Sequence, residues 1–259
     1  MRHESLRPTE ALLRLRPPGG TADEEIAVEM PVALTVNGVS QAVMLATPAD
    51  LEDFALGFAL AEGWIAHRGE LLDIETEARA DGIELALTVT AVREQGLKLR
   101  RRQLPGRTGC GLCGLESLAD FNSLQPAPVQ APELAPGALA RAMAELHRAQ
   151  VLNARCGGLH AAAWCALDGA LRLAREDVGR HNALDKLIGA RAAAPGDPAP
   201  GFVAMSSRAS HELVHKAAMA GIGLLACVSA PSSLAISTAQ GLGLRLWAFV
   251  REGRATRYA

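Results

Sequence analysis

"GFVAMSSRASHELVHKAAMAGIGLLACVS", residues 201 to 229, decides the fold. "GFVAMSS" is a short apolar run of strand length. Ser210 then stands as N-cap of an amphipathic helical stretch, Gly221 stops that helix, and "IGLLACVS" is a second buried strand. Reading outward, "HAAAWCALDGALRLARE" from His160 is a hairpin around Asp168-Gly169, and "HNALDKLIGARAA" from His181 is a helix that buries Leu184, Leu187 and Ile188. A last helix from about Ser232 to Gln240 leads to the strand "LRLWAFV". Upstream, a helix from Pro136 to about Gln150 presents Leu139, Met143 and Leu146 on one face. The order hairpin, helix, strand, helix, strand, helix, strand predicts an α/β unit, a mixed or parallel sheet sandwiched by helices, over residues 136 to 259.

Three further segments precede it. Residues 1 to 22 read as a flexible lead-in punctuated by Pro17-Pro18-Gly19-Gly20. Residues 23 to 104 read as a small α+β unit. In it, Asn37-Gly38 turns a hairpin, and a helix follows with Thr47 as N-cap and Pro48 at its first position. More strand material then follows over Gly82 to Val92. Residues 105 to 135 lack periodicity, are rich in proline, and read as a mobile loop.

A formal net charge of -2 gives no general reason to expect duplex nucleic acid as partner. The N-terminus offers no uninterrupted apolar segment of the kind that directs secretion, and the longest apolar run, Gly221 to Ala230, is far short of the roughly 20 residues that span a bilayer. A soluble, cytoplasmic protein without membrane contact is the expectation. Five cysteines in a reducing compartment argue against a disulfide framework and leave metal binding, thiol chemistry or burial for each.

Chemistry-bearing residues gather where strands meet helix starts. "REDVGRHN" supplies Glu176, Asp177, Arg180, His181 and Asn182; "SSRAS" supplies Ser206, Ser207, Arg208 and Ser210; "SAPSS" supplies Ser229, Ser232 and Ser233. Hydroxyls, helix-start amides and two arginines make a cradle for phosphate or a nucleotide-like ligand, while each residue singly also suits a cap or turn. His160 is open to three roles: ligand, base, or satisfied half-buried histidine.

Cys110 and Cys113 form a glycine-flanked CxxC pair with three readings. A structural zinc site lacks its second pair of ligands, Cys156, Cys165 and Cys227 being isolated. A thioredoxin-type dithiol belongs at a helix start, and this pair follows loop sequence. Persulfide chemistry suits a flexible segment near Arg100 to Arg102 and Arg107, where positive charge favours the thiolate.

Several stretches, in order and spacing, then resemble one family: "TPADLEDFALGFALAEG", "TGCGLCG", "GGLHAAA", "EDVGRHNALDKLIG", "SSRASHELVHKAAMAGI", "SAPSSLAI" and "REGRATRY". The chain is similar over about residues 25 to 258 to the formate dehydrogenase accessory proteins, the FdhD sulfur carriers. The resemblance implies a cytidine-deaminase-like three-layer α/β/α main domain without deaminase activity. No H-x-E motif or P-C-x-x-C is present, so neither the zinc ligands nor the glutamate acid/base exists, and no structural zinc is expected.

The resemblance further implies sulfur transfer from a cysteine desulfurase, through a persulfide on Cys110 with Cys113 as companion, to the molybdenum or tungsten bis-guanine-dinucleotide cofactor of formate dehydrogenase. An insertion chaperone that holds the cofactor without transferring sulfur is the alternative. The family's cofactor-binding segment falls on Phe249, Val250, Arg251, Glu252, Gly253 and Arg254. The cradle of His160, Asp177, Arg180, His181, Asn182, Ser207, Arg208, Ser210 and Ser229 then acquires that cofactor as its ligand. A homodimer is implied as well. Three departures from the family pattern stand out: Cys156 for the usual threonine, Ser207 for the usual glycine, and an end at Ala259 soon after "RATRY".

Overall fold

Residues 7–16, 20–103, 126–196 and 199–259 are described by the computed structural model. Two antiparallel strands, β1 (Thr9–Arg16) and β2 (Gly20–Ala27), pair from Thr9↔Ala27 to Arg16↔Gly20. Backbone pairing therefore runs through residues 9–16 and 20–22 of the stretch expected as a flexible lead-in.

A four-stranded sheet follows, in the order β4-β3-β6-β5. Its strands are β3 (Met30–Val36), β4 (Val39–Ala46), β5 (Leu71–Arg79) and β6 (Gly82–Val89). Asn37 and Gly38, at φ 46° and 76°, make the expected hairpin turn. Helix α1 (Leu51–Ala61) packs Phe54, Phe58 and Leu56 on Val32, Leu34, Leu85 and Leu87. The helix starts later than the sequence suggests: Asp50, at φ 52°, is its N-cap, and Thr47 lies outside it. Thr47 is drawn away by a buried partner, its backbone N–H donating to Asp177 Oδ2 at 2.9 Å. The strand expected to reach Val92 stops at Val89, and α2 (Ala91–Gln103) begins where Asn37 bonds both the Val89 backbone and Glu94.

The main unit contains α3 (Ala138–Ala149), α4 (Val151–Cys156), β7 (His160–Ala166), β8 (Leu171–Asp177), α5 (Arg180–Ala193), β9 (Gly201–Met205), α6 (His211–Met219), β10 (Leu224–Cys227), α7 (Ser233–Leu242), β11 (Arg245–Arg251) and β12 (Arg254–Arg257). Its six strands run in the order β12-β11-β10-β9-β7-β8. β9, β10 and β11 are parallel, and β7 is antiparallel to β9. Ser210 and Ser232 cap α6 and α7, accepting from Leu213 and Ala235 N–H.

One sheet face buries Trp164, Val203, Met205, Leu225 and Leu246 under α5, α6 and α7. The other buries Ala163, Phe202, Ala204 and Ala226 under α3. This is the three-layer α/β/α arrangement, with the N-terminal α+β unit docked on it through α1. The two units meet where α1 crosses α5: a Cβ on Gly57 would lie 1.7 Å from the Asp185 carbonyl oxygen, and one on Gly189 would lie 1.9 Å from that of Asp53. Reciprocal glycines are what permit this approach.

Residues 126–135, expected within the mobile loop, are held against the main unit. Val129 N–H donates to the Leu242 carbonyl at 2.8 Å, and Ala135 N–H to that of Leu167 at 2.9 Å. Cys110 and Cys113 lie outside the described residues. Among those described, no helix is long and apolar enough to cross a membrane.

Candidate functional site

The parallel register brings the ends of β9, β10 and β11 to one edge of the sheet. The antiparallel strands β7 and β8 add His160, paired with Asp177, to that same edge. Helices α5, α6 and α7 all start from it, so their N-terminal amides face the same side. Two adjoining pockets open along this edge.

The first is a groove of about 710 Å³ between α3 and the β11–β12 hairpin. Val250, Arg251, Glu252, Gly253 and Arg254 line it, together with Trp247 and Arg245. A register shift between Ala248 and Arg251 lets the strand turn here, with Phe249 at φ 52° in the left-handed region. Phe249 N–H is held by the Ser229 carbonyl at 3.2 Å. Arg245 is engaged with Glu133 at 2.7 Å, whereas the side chains of Arg251 and Arg254 have no ion pair or hydrogen bond among the described residues. The buried Trp247 Nε1 likewise has no partner.

The second pocket, about 350 Å³, is lined by His160, His147, Gln150, Asn153 and Ser206 over a floor that includes Leu146. It shares Met143, His147 and Val228 with the groove. Burial, followed by the Arg180 charge, pulls the His160 pKa below its ordinary value, against a smaller opposing effect of Asp177.

Other residues expected in the cradle sit beside these pockets without lining them. Asp177 is fully buried and committed: Oδ1 accepts from Gly179 N–H at 2.8 Å and Asn182 Nδ2 at 2.9 Å, and Oδ2 meets Lys186 Nζ at 2.8 Å. Asn182 also donates to the Leu45 carbonyl at 2.7 Å. Ser207 is buried, its hydroxyl donating to the Arg208 carbonyl at 3.0 Å, while Arg208 itself is exposed. Arg180 opens α5, and its buried Nε has no partner among the described residues.

His181 lies 3.1 Å from Ser210 Oγ and 3.3 Å from Glu212 Oε2, both through Nε2. A Ser-His-acid relay needs the acid on the other ring nitrogen, so this cluster is not one. Burial, then Arg180, Lys216 and His160, push His181 down to about 3, which keeps it neutral. Burial raises Glu212.

Two lysines that sequence reasoning passed over anchor the site from below. Lys186 donates to the Thr47 carbonyl at 2.9 Å. Lys216 meets Asp185 at 3.0 Å and Glu62 at 2.9 Å; burial alone would lower its pKa, but Asp185, Glu62 and Glu212 reverse this and hold it charged. Trp247, Gln150, Asn153 and His147 were also missed, since only packing puts them at the pockets. Burial disfavours the thiolate at two of the three described cysteines. Cys165 is buried and pushed up to about 12, Cys227 is raised further by burial, and Cys156 donates to the Leu152 carbonyl at 3.3 Å, as a helical threonine hydroxyl does.

A three-layer α/β/α protein with an open groove at its strand ends is the class this geometry defines. The FdhD/NarQ family pattern matches residues 27–259, and the chain belongs to that family. It is 53% identical to the sulfur carrier protein FdhD of Chromobacterium violaceum, over 88% of this chain and 86% of that one. It is also 53% identical to the protein of the same name from Variovorax paradoxus, over 87% and 81%. A crystal structure from Desulfotalea psychrophila, assigned as a formate dehydrogenase accessory protein, shares the fold with a TM-score of 0.69 at 24% identity, covering 96% of this chain and 95% of that one.

Proposed function

We propose that this protein is a sulfur carrier for formate dehydrogenase maturation, acting in the cytoplasm as a homodimer. A cysteine desulfurase supplies the sulfur. A thiolate of Cys110 or Cys113 attacks the outer sulfur of the donor's persulfide; one S–S bond forms, one breaks, and the donor leaves as thiolate with no net oxidation. The thiolate of the other cysteine of the pair then attacks the inner sulfur of this persulfide, so that a Cys110–Cys113 disulfide forms, the persulfide S–S bond breaks, and the outer sulfur leaves at the sulfide level for the molybdenum or tungsten bis-guanine-dinucleotide cofactor, which is cargo and not a resident group; the two thiols supply the two electrons.

The observation that carries this reading is the placement of the 249–254 segment. The stretch that the family resemblance marks for cofactor binding lines the groove with two arginines whose side chains have no partner among the described residues, beside Trp247, whose buried indole N–H also lacks one among them. Guanidinium forks match phosphate oxygens bidentately, and an orphaned buried donor is satisfied when a ligand brings an acceptor. The pair Arg251 and Arg254 would hold the diphosphate.

The double substitution Cys110→Ala, Cys113→Ala tests the transfer step. It should abolish rescue of formate dehydrogenase activity in a strain lacking its own carrier, and mass spectrometry of the native chain after incubation with a desulfurase and cysteine should show added sulfur. Full rescue by the double variant, with no sulfur gained by the native chain, would instead indicate an insertion chaperone.

A further inference from the structure

We propose that His211 and His215 form an open two-imidazole site on α6 for a late first-row divalent transition-metal ion, with Thr238 of α7 setting the ligating tautomer of His211. The site lies across the sheet from α3 and the groove, and it does not depend on the function proposed above.

The isolated cysteines give no second ligand pair, but His211-Glu212-Leu213-Val214-His215 carries an H-x-x-x-H spacing. Residues four apart on a helix stand one turn apart on the same face. Both imidazoles are half-buried, while Leu213, Val214 and Ala217 of the same helix point into the core. The two ring centroids lie 5.9 Å apart, with the planes tilted by 42°. Two metal–nitrogen bonds of about 2.0–2.1 Å each bridge such a gap after side-chain rotation alone.

Thr238 decides which nitrogen of the neutral His211 ring is the ligand. Its hydroxyl has one proton, which Oγ1 donates to the Leu234 carbonyl at 2.7 Å. Toward His211 Nδ1, 2.8 Å away, Oγ1 can then only accept. Nδ1 therefore carries the ring proton, and Nε2 holds the lone pair. A held Nδ1–H with a basic Nε2 is the state that outer partners impose on metal-binding histidines.

The same five residues match the H-E-x-x-H of zinc hydrolases, in which the glutamate is the general base. Here Glu212 is turned to α5: its Oε2 is 3.3 Å from His181 Nε2, and only 13% of the side chain is exposed. No general base stands beside the ion, and no hydrolysis is inferred. Among the described residues no group of three or more His, Cys, Asp or Glu is placed to hold a metal, so water or an outside ligand fills the remaining positions. Nor is the ion structural, because the Ser210 cap and the buried face already hold α6 in place.

Two neutral nitrogen donors without a carboxylate decide the class of ion. Imidazole suits copper, nickel and zinc, whereas magnesium, calcium and manganese favour oxygen.

Titration of the full chain carrying Cys110→Ala and Cys113→Ala, whose thiols then cannot take the ion, with Cu²⁺, Zn²⁺ and Mn²⁺ chlorides tests the proposal. Cu²⁺ should bind more tightly than Zn²⁺, and Mn²⁺ at least about tenfold more weakly than Zn²⁺. Electron paramagnetic resonance of the Cu²⁺ form should show coupling to two imidazole nitrogens, a readout that needs no further variant. His211→Gln and His215→Gln should each weaken Zn²⁺ binding by at least about tenfold. Thr238→Val, which keeps the volume and removes the acceptor, should weaken it by about tenfold while both nitrogens stay coupled to Cu²⁺. Zn²⁺ affinity that neither histidine substitution changes, a Cu²⁺ spectrum with oxygen ligands alone, or Mn²⁺ bound as tightly as Zn²⁺ would each overturn the proposal. Unchanged affinity in Thr238→Val would overturn the part assigned to Thr238.

Discussion

The two halves of the strand-end edge are built from similar residue types and use them in opposite ways. On the α5 side, Asp177, Asn182 and Lys186 bond one another and the Thr47 backbone, and no polar atom of Asp177 is left for a ligand, although Arg180 Nε at the helix start is buried without a partner among the described residues. On the groove side, the Arg251 and Arg254 side chains and Trp247 Nε1 have no protein partners among the described residues. A dense polar motif such as "EDVGRHNALDKLIG" thus marks architecture at least as much as binding. What distinguishes a ligand surface is hydrogen-bonding capacity that the fold does not itself satisfy.

The sharpest way to break this contrast is Asp177→Ala. It leaves the fully buried Lys186 ammonium with only the Thr47 and Glu176 carbonyls, and it strips the Thr47 N–H that docks the N-terminal unit. Removing one partner of a buried pair costs about 3–5 kcal/mol, so the urea midpoint should fall sharply. A variant that unfolds at the native midpoint would show that these bonds do not hold the two units together.

His181 gives a smaller effect with a defined pH window. Its pKa falls from 6.5 unfolded to about 3 folded, so between those values the unfolded chain binds the extra proton, and stability is lost as pH falls. By pH 5 the loss from this group is about 2 kcal/mol, at 1.36 kcal/mol per unit. Glu212, raised by burial, works in the opposite sense: its contribution is present at low pH and is lost as pH rises through its folded pKa. The measurement is therefore the difference between native and His181→Gln unfolding curves from pH 7 to 5. Parallel curves would mean that His181 is not held neutral.

Much of the main unit was legible in the sequence because its signals are local. The Asp168-Gly169 turn, the Ser210 cap, the start of the last helix near Ser232 and the Gly221 stop each act within a few residues, and the structure bears them out. The misreadings come from distant partners. Thr47 has the profile of an N-cap, and only Asp177, far along the chain, explains why it is not one. β5 alternates weakly, since most of its residues are exposed, and β12 is four exposed residues paired back on β11. Gln150 had no signal at all: a glutamine between two helical runs looks like any helix end, and only packing puts it at a pocket.

The smallest expected effect on stability completes the contrast. Arg251 and Arg254 are exposed, unpaired among the described residues, and set on either side of a two-residue turn at Glu252 and Gly253. The turn geometry belongs to the backbone, so truncating either arginine removes no contact that the fold uses. Each alanine variant should therefore leave the urea midpoint unchanged to within about 0.5 kcal/mol. Relieving the like-charge repulsion between neighbouring guanidiniums acts, if anything, in the stabilising direction. Opposite signs of change, stability held or gained while nucleotide affinity falls, are what a surface kept open for an anion should give. A midpoint lowered as far as by Asp177→Ala would mean that the arginines support the fold, and the two halves of the edge would then no longer differ in kind.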